Sequence, residues 1–436
     1  MQESGSGSIK VDVADLKIGM YVNELDIPWL ESPFLFQGFP LNSEDEIEEV
    51  RRVCQFVYID PDQSDHSVRP QLELLATRGQ HKSNNLAGHA ANQSGGAGSQ
   101  FREHLYRARK IYNATRNYIS KTYKDITSNT RVNVEDAKGL VSEMTENIIV
   151  NPHAMQWLTY LKERHEYTLT HSINVCILAL TFGRHMKLQR IELELLGLGA
   201  LLHDIGKLKI PSEVLDKPGR LTPEEYEIMK AHPVEGYKIL KTDEGMPMES
   251  LEVVLHHHER VNGKGYPEQL RADHISLITK MSSIVDVYDA ITSDRCYHDG
   301  ISPYKALQNI FSWAKDDFDQ GLVEQFMSCM GIYPVGTVVE LNDGQIGIVL
   351  SATEKTRLRP IVLLVQDKDK QYYKQRRIFN LSTQTWDDKT KRLEIKNVIE
   401  PKDTELNIKR ILEEESLTPV DQIEKTSLEE IFPKLS

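Results

Sequence analysis

The chain has 436 residues, with 52 Lys and Arg against 65 Asp and Glu, and a formal net charge of −13. That length allows roughly two or three domains, and a hydrophobic content of 39% is enough for ordinary packed cores. The acidic balance argues against a general binder of DNA or long RNA, so an anionic substrate would need local positive charge from a few basic side chains or from metal.

Cys54, Cys176, Cys296 and Cys329 form no CxxC pair. This fits a reducing compartment and argues against a zinc ribbon or a disulfide framework. The opening MQESGSGSIKV lacks the charged-then-apolar plan of a signal peptide, and apolar stretches such as 175–182 are too short to cross a bilayer. The expectation is a cytoplasmic protein with no membrane span.

In chain order, residues 1–77 read as a small α+β domain. "IKVDVADLKIGMYV" has period-2 stretches, and "QFVYIDP" reads as a strand ended by Pro61. Between them "NSEDEIEEVRRV" predicts a helix with Ser43 as N-cap and Glu46 three residues on. Residues 78–100, rich in Gly, Ser, Asn, Gln and Ala, read as a flexible linker. From 101 to 331 apolar residues recur at three- and four-residue intervals, which predicts a helical bundle. The amphipathic run 102–125 presents an apolar stripe that reads as core, with an inter-domain connector or a homodimer contact as alternatives. Over 332–400 the pattern alternates and turns β-branched, and Asn342-Asp343-Gly344 is a hairpin signal, so a small β-rich unit is expected. Residues 401–436 read as a charged tail. The fold class is therefore mainly α, with smaller β-containing parts at both ends.

The histidines cluster in the helical region. His171, His203, His232, His256, His257 and His258 occur there, with Asp204 beside His203 and with Asp286 and Asp289 following. Neutral imidazole plus carboxylate is the mixed ligand set of iron, manganese or zinc, and facing helices can bring such groups to one buried metal pair. Each group alone is weak evidence; their co-occurrence with two glycine-containing motifs is not. "LLHDIGKLKIP" places Lys207 at i+4 from His203, on the same side of a helix. "HHERVNGKGYP" reads structurally as a turn, and it holds Tyr266 just after three histidines, where an aromatic could stack on a base or bond a phosphate. No P-loop and no good Ser or Cys nucleophile is present.

The motifs "EYTLTHSINV", "LLHDIGKLKIP", "AHPVEGYKIL", "HHERVNGKGYP" and "VDVYDAITSDRCY", over about 155–300, resemble the HD-GYP cyclic-dinucleotide phosphodiesterases of the HD superfamily of metal-dependent phosphohydrolases. The N-terminal part resembles an uncharacterised domain often found ahead of HD-GYP domains. The resemblance implies an HD-type helical bundle with two divalent metal ions, iron or manganese. Its implied metal ligands are His171, His203, Asp204, His232, His257, His258 and Asp286, with Asp204 bridging. It implies Asp204 and Lys207 as the catalytic residues, and Lys207, Tyr266, Asp289 and Arg295 as contacts to the dinucleotide. The reaction implied is hydrolysis of cyclic di-GMP or cyclic GMP-AMP to a linear dinucleotide by a metal-activated water. A glutamate that binds a third metal in some members is replaced here by Tyr167, with Glu166 on a different helix face, so a two-metal site is expected. Asn262 stands where the family usually has aspartate, and Cys296 and His298 interrupt its basic run. Those departures keep a catalytically weak dinucleotide sensor as the alternative, with an HD hydrolase of another phosphate as a third reading.

Overall fold

The computed structural model describes residues 9–26, 38–61, 63–72, 97–127, 132–159, 167–293, 300–314, 316–351, 358–383 and 393–400, together with most of 403–411. The N-terminal sheet with its helix falls in one compact unit, and the remaining helices and the C-terminal sheet fall in a second.

In the first unit, strands β1 (Ile9–Asp12), β2 (Tyr21–Leu25), β3 (Phe39–Pro40) and β4 (Phe56–Asp60) form an antiparallel sheet in the order β1-β4-β2-β3. Helix α1 (Glu44–Val53) buries Ile47 and Val50 in a core with Val22, Val57, Ile59 and Leu41. The expected cap is present with a one-residue shift. Ser43 Oγ accepts from the Glu46 amide, while the buried Glu46 carboxylate accepts from Asn42 N at 2.6 Å rather than from Ser43 N.

The second unit begins with α2 (Ala97–Thr127), so the helix starts inside the span read as linker; residues 78–96 lie outside the described residues. Then come α3 (Val134–Val150), α4 (Pro152–Leu158), α5 (Tyr167–His185), α6 (Arg190–Leu202), α7 (Pro223–Met229), α8 (His232–Leu240), α9 (Met248–His256), α10 (Leu277–Thr292), α11 (Pro303–Ala314) and α12 (Gln320–Met330). Trp157, Phe182, Phe326, Met144 and Ile148 are fully buried at its centre, and Phe326 meets Phe182 and Tyr288 edge-on. Helix α5 is apolar nearly all round and is enclosed on most sides, as the period alone cannot tell. No helix among the described residues is long and apolar enough to cross a membrane.

Strands β5 (Val338–Leu341), β6 (Ile346–Ser351), β7 (Ile361–Gln366), β8 (Tyr372–Asn380) and β9 (Ile395–Ile399) form an antiparallel sheet in the order β8-β7-β6-β5-β9. The Asn-Asp-Gly signal does make the β5–β6 hairpin, with Gly344 at φ 91° and Leu341 N donating to Gln345 O. Ser302, at the start of α11, donates from Oγ to Glu400 at 2.7 Å, tying the end of this sheet to the helices.

Candidate metal centre

Most of the candidate ligands sit at helix ends. His203 and Asp204 follow α6, His257 and His258 follow α9, and His232 opens α8 just after α7; His171 and Asp286 lie within α5 and α10. The location has a physical cause. The last carbonyls of a helix have no intrahelical partner. His203 Nδ1 donates to Ala200 O at 2.8 Å, His232 Nδ1 to Met229 O at 2.8 Å, and His257 Nδ1 to Val254 O at 2.9 Å. Each bond satisfies an orphan carbonyl three residues back and fixes the tautomer, so each Nε2 lone pair points inward.

Those lone pairs converge. His232 Nε2 and His257 Nε2 lie 3.3 Å apart, and because each neutral ring donates from Nδ1 to a carbonyl, two lone pairs face one another and a cation beside them would relieve the repulsion. Asp204 divides its oxygens between two sides. Oδ2 lies 3.4 Å from His203 Nε2 and 3.7 Å from His171 Nε2, whereas Oδ1 lies 3.4 Å from His232 Nε2 and 4.0 Å from His257 Nε2. Asp286 Oδ1 is 3.0 Å from His171 Nε2, and its Oδ2 is 3.9 Å from His258 Nδ1. Three sets of donor atoms, His171–His203–Asp286, His203–Asp204–His257 and His232–His257–His258, each lie within 4.8 Å of one another. His203 Nε2 and Asp204 Oδ1 are buried with no hydrogen-bond partner among the described residues. Such orphaned polar atoms are costly unless something binds them, so the residues present fit bound metal.

The protonation states suit ligation. Burial lowers His232 to about 4 and holds His257 and His258 well below the usual histidine range, so all three are neutral. Burial alone would raise Asp204 and Asp286. It is outweighed for Asp204 by His203 and Lys207, and for Asp286 by its bond to His171, which hold both carboxyls well below the usual range. His171 is the exception. Burial opposes its charge, but Asp286 and Asp289 bracket its ring and raise it to about 9. A proton on His171 Nε2 thus stands where a metal would bind.

The other predicted residues are distributed less evenly. Lys207 Nζ lies 2.5 Å from Asp204 Oδ2. The expected i+4 relation to His203 is not how it gets there: α6 stops at Leu202, and residues Ile205–Lys209 form a 3₁₀ turn that stacks i and i+3. Tyr266 stacks on the His258 ring, with centroids 4.7 Å apart. Asp289, expected at the dinucleotide, is instead 1% exposed behind His171, accepting from its Nδ1 at 2.7 Å and from Asn174 and Ser293. It is placed to orient His171. Arg295 and His298 lie outside the described residues. His256 points away from the cluster to Glu268.

One position had no sequence signal, and one departure noted in the sequence gains a partner. Glu259 is 2% exposed, and its two oxygens accept from Glu268 N at 2.6 Å and Leu270 N at 2.9 Å, pinning the loop that carries Tyr266. Asn262 Nδ2 donates to Asp317 Oδ1 at 3.1 Å, a bond that an aspartate at 262 could not make, which gives that departure a structural reason.

Known proteins with which the chain can be compared are of three kinds. A family model described as an HD domain matches residues 143–322, a domain of unknown function matches 8–137, and a KOW domain associated with HD domains matches 338–407. A cyclic di-GMP phosphodiesterase of Pseudomonas aeruginosa is 32% identical over 362 residues, covering 81% of this chain and 84% of that protein. A 3′3′-cGAMP-specific phosphodiesterase of Vibrio cholerae is 35% identical over 124 residues, 28% of this chain and 24% of that one. A solved structure of an HDG"Y"P protein from Bdellovibrio bacteriovorus aligns at 16% identity with a TM-score of 0.44, covering 73% of this chain and 98% of that one.

Proposed function

The chain belongs to the HD-GYP family of HD-domain phosphodiesterases, and from that premise we propose that it hydrolyses a cyclic dinucleotide, cyclic di-GMP or cyclic GMP-AMP, to the linear dinucleotide at a centre of two divalent cations, iron or manganese. The observation that carries this reading is the division of Asp204, with one oxygen toward His171 and His203 and the other toward His232 and His257. In this reading His171, His203 and Asp286 would hold one cation and His232, His257 and His258 the other, with Asp204 placed to serve both. Such a cation pair, when bound, would supply an activated water and charge stabilisation for an attacked phosphodiester.

The chain's own residues do the rest. The imidazoles of His203, His232 and His257 are fixed by bonds to backbone carbonyls before substrate arrives, so little reorganisation of these three accompanies binding. Lys207, one-fifth exposed, can turn from Asp204 to a non-bridging phosphate oxygen and add charge stabilisation. Tyr266 walls the cluster on the His258 side and limits where a nucleotide can lie. The names of the relatives, cyclic di-GMP phosphodiesterase and cGAMP-specific phosphodiesterase, support the substrate class.

The test is anaerobic turnover with iron or manganese, offering cyclic di-GMP and cyclic GMP-AMP side by side and separating products by chromatography. Metal-dependent linear product supports the reading and ranks the substrates. Saturable binding without turnover would replace it with a sensor.

A further inference from the structure

Beside the metal cluster, α7 brings two side chains that the proposed reaction leaves unused, Tyr226 and Lys230, up to Tyr266 of the Gly265-Tyr266-Pro267 loop. Tyr226 is 46% exposed at the middle of α7, and its ring meets Tyr266 edge-on with centroids 6.5 Å apart. Lys230, just past α7, holds its Nζ 4.9 Å from the Tyr226 ring centre and 5.8 Å from that of Tyr266. Tyr266 in turn stacks on His258. The corner therefore lies two ring contacts from a candidate ligand, within reach of a base joined through one ribose to a phosphate at the cluster.

The corner is held in place. Helix α7 is capped by Thr222 and Glu225 in a reciprocal box, Lys217 pairs with Glu225, and the Met229 carbonyl at its end accepts from His232. Glu259 pins the opposing loop from beneath. A large aromatic left nearly half exposed on so well fixed a support suits an unstacked base, which any aromatic face can accept.

Resting on the proposed reaction, we infer that Tyr226 and Lys230 form a guanine subsite. The purine lies on the exposed face of the Tyr226 ring, and Lys230 donates to the O6 and N7 acceptors of its Hoogsteen edge. Adenine offers an amino donor in place of O6 and would set donor against donor. Lys230 is bonded to Glu227 at 2.7 Å, with the Glu227 side chain 69% exposed. Exposed pairs of this kind contribute little, so the ammonium can be drawn off by a base. The ligand class that follows is a cyclic dinucleotide with at least one guanine, in preference to cyclic di-AMP.

The test measures the Kd of manganese-loaded full-length protein for a hydrolysis-resistant phosphorothioate cyclic di-GMP and for its cyclic di-AMP counterpart, with KM and kcat on cyclic di-GMP alongside. Tyr226→Ala should weaken Kd and raise KM about tenfold, and Tyr226→Trp should restore both. Lys230→Met should lower the preference for the guanine ligand about tenfold. Metal content should match the wild type in all three variants. An unchanged Kd in Tyr226→Ala, a fall in kcat with KM unchanged, or an unchanged base preference in Lys230→Met would overturn the subsite. Wild-type protein that binds the guanine ligand through Tyr226 yet hydrolyses no cyclic dinucleotide would uphold the subsite while overturning the proposed reaction.

Discussion

Gly206 sits where the turn carrying Asp204 crosses the start of α8. A Cβ added there would lie 1.9 Å from the His232 carbonyl oxygen and 2.4 Å from Gly236 N. Both are backbone atoms, so no rotamer change relieves the clash. For ordinary contact to return, the first turn of α8 must retreat by about 1.5 Å, carrying His232 with it. Metal–ligand distances tolerate only about 0.2 Å. Gly206→Ala should therefore remove His232 from the ligand set and cut the metal content of purified protein by at least half. Overpacking of this kind costs about 1–3 kcal/mol, which for a unit of this size lowers Tm by about 1.5–4 °C. Metal content by mass spectrometry, and melting of chelator-treated protein, separate the two effects. Gly139→Ala is the control, because nothing lies within 4 Å of its added Cβ; in a helix interior it should be neutral or stabilising by about 1 kcal/mol. Wild-type metal content and Tm in Gly206→Ala would refute the reasoning.

The remaining predictions concern the groups around the cluster. Asp289→Asn removes the charge behind His171 and should weaken metal affinity about 10- to 100-fold, read by competition with a chelating dye; equal affinity would mean that His171 is oriented by something else. Asn262→Asp sets two carboxylates 3.1 Å apart and should lower Tm, with Asp317→Asn in the same chain restoring it; an Asn262→Asp chain as stable as the wild type would contradict the pairing. Metal-free protein should lose stability on acidification. His232 is held at about 4 against 6.5 when exposed, so the unfolded chain takes up protons first as pH falls from about 6.5 toward 4, and His257 and His258 act in the same direction. His171, raised to about 9, acts oppositely, and its contribution is lost as pH rises from about 6.5 through 9. A Tm that stays flat or climbs as pH falls from 6.5 to 4.5 would refute the neutral, buried assignment.

That His and Asp side chains of the helical region would gather at one place was legible, because metal ligation restricts the residue types and the motifs resemble a known family; the structure brings donor atoms of His171, His203, Asp204, His232, His257, His258 and Asp286 together. The geometry there was less legible. Lys207 was expected through helical i+4 spacing and arrives through a 3₁₀ turn, because the helix ends where Asp204 must turn inward. Asp289 shares a residue type and a helix with Asp286, yet one lies among the donor atoms and the other behind a ligand; only packing distinguishes them. Glu259 gave no signal because its partners are backbone amides, which every sequence offers. Gly206 was visible as a letter but its crossing with α8, 26 residues on at His232, was not. In the fold, local chemistry read well at Ser43 and at Asn342-Asp343-Gly344, where cap and turn depend on a few adjacent residues. Strand order in both sheets depends on pairings across long loops and had no such mark.

The most direct test of the account is to measure metal content and cyclic-dinucleotide turnover together in Asp204→Ala. The two oxygens of Asp204 face both halves of the cluster, so the account predicts that metal loading and hydrolysis are lost together while the protein remains folded. Turnover retained in Asp204→Ala would contradict it.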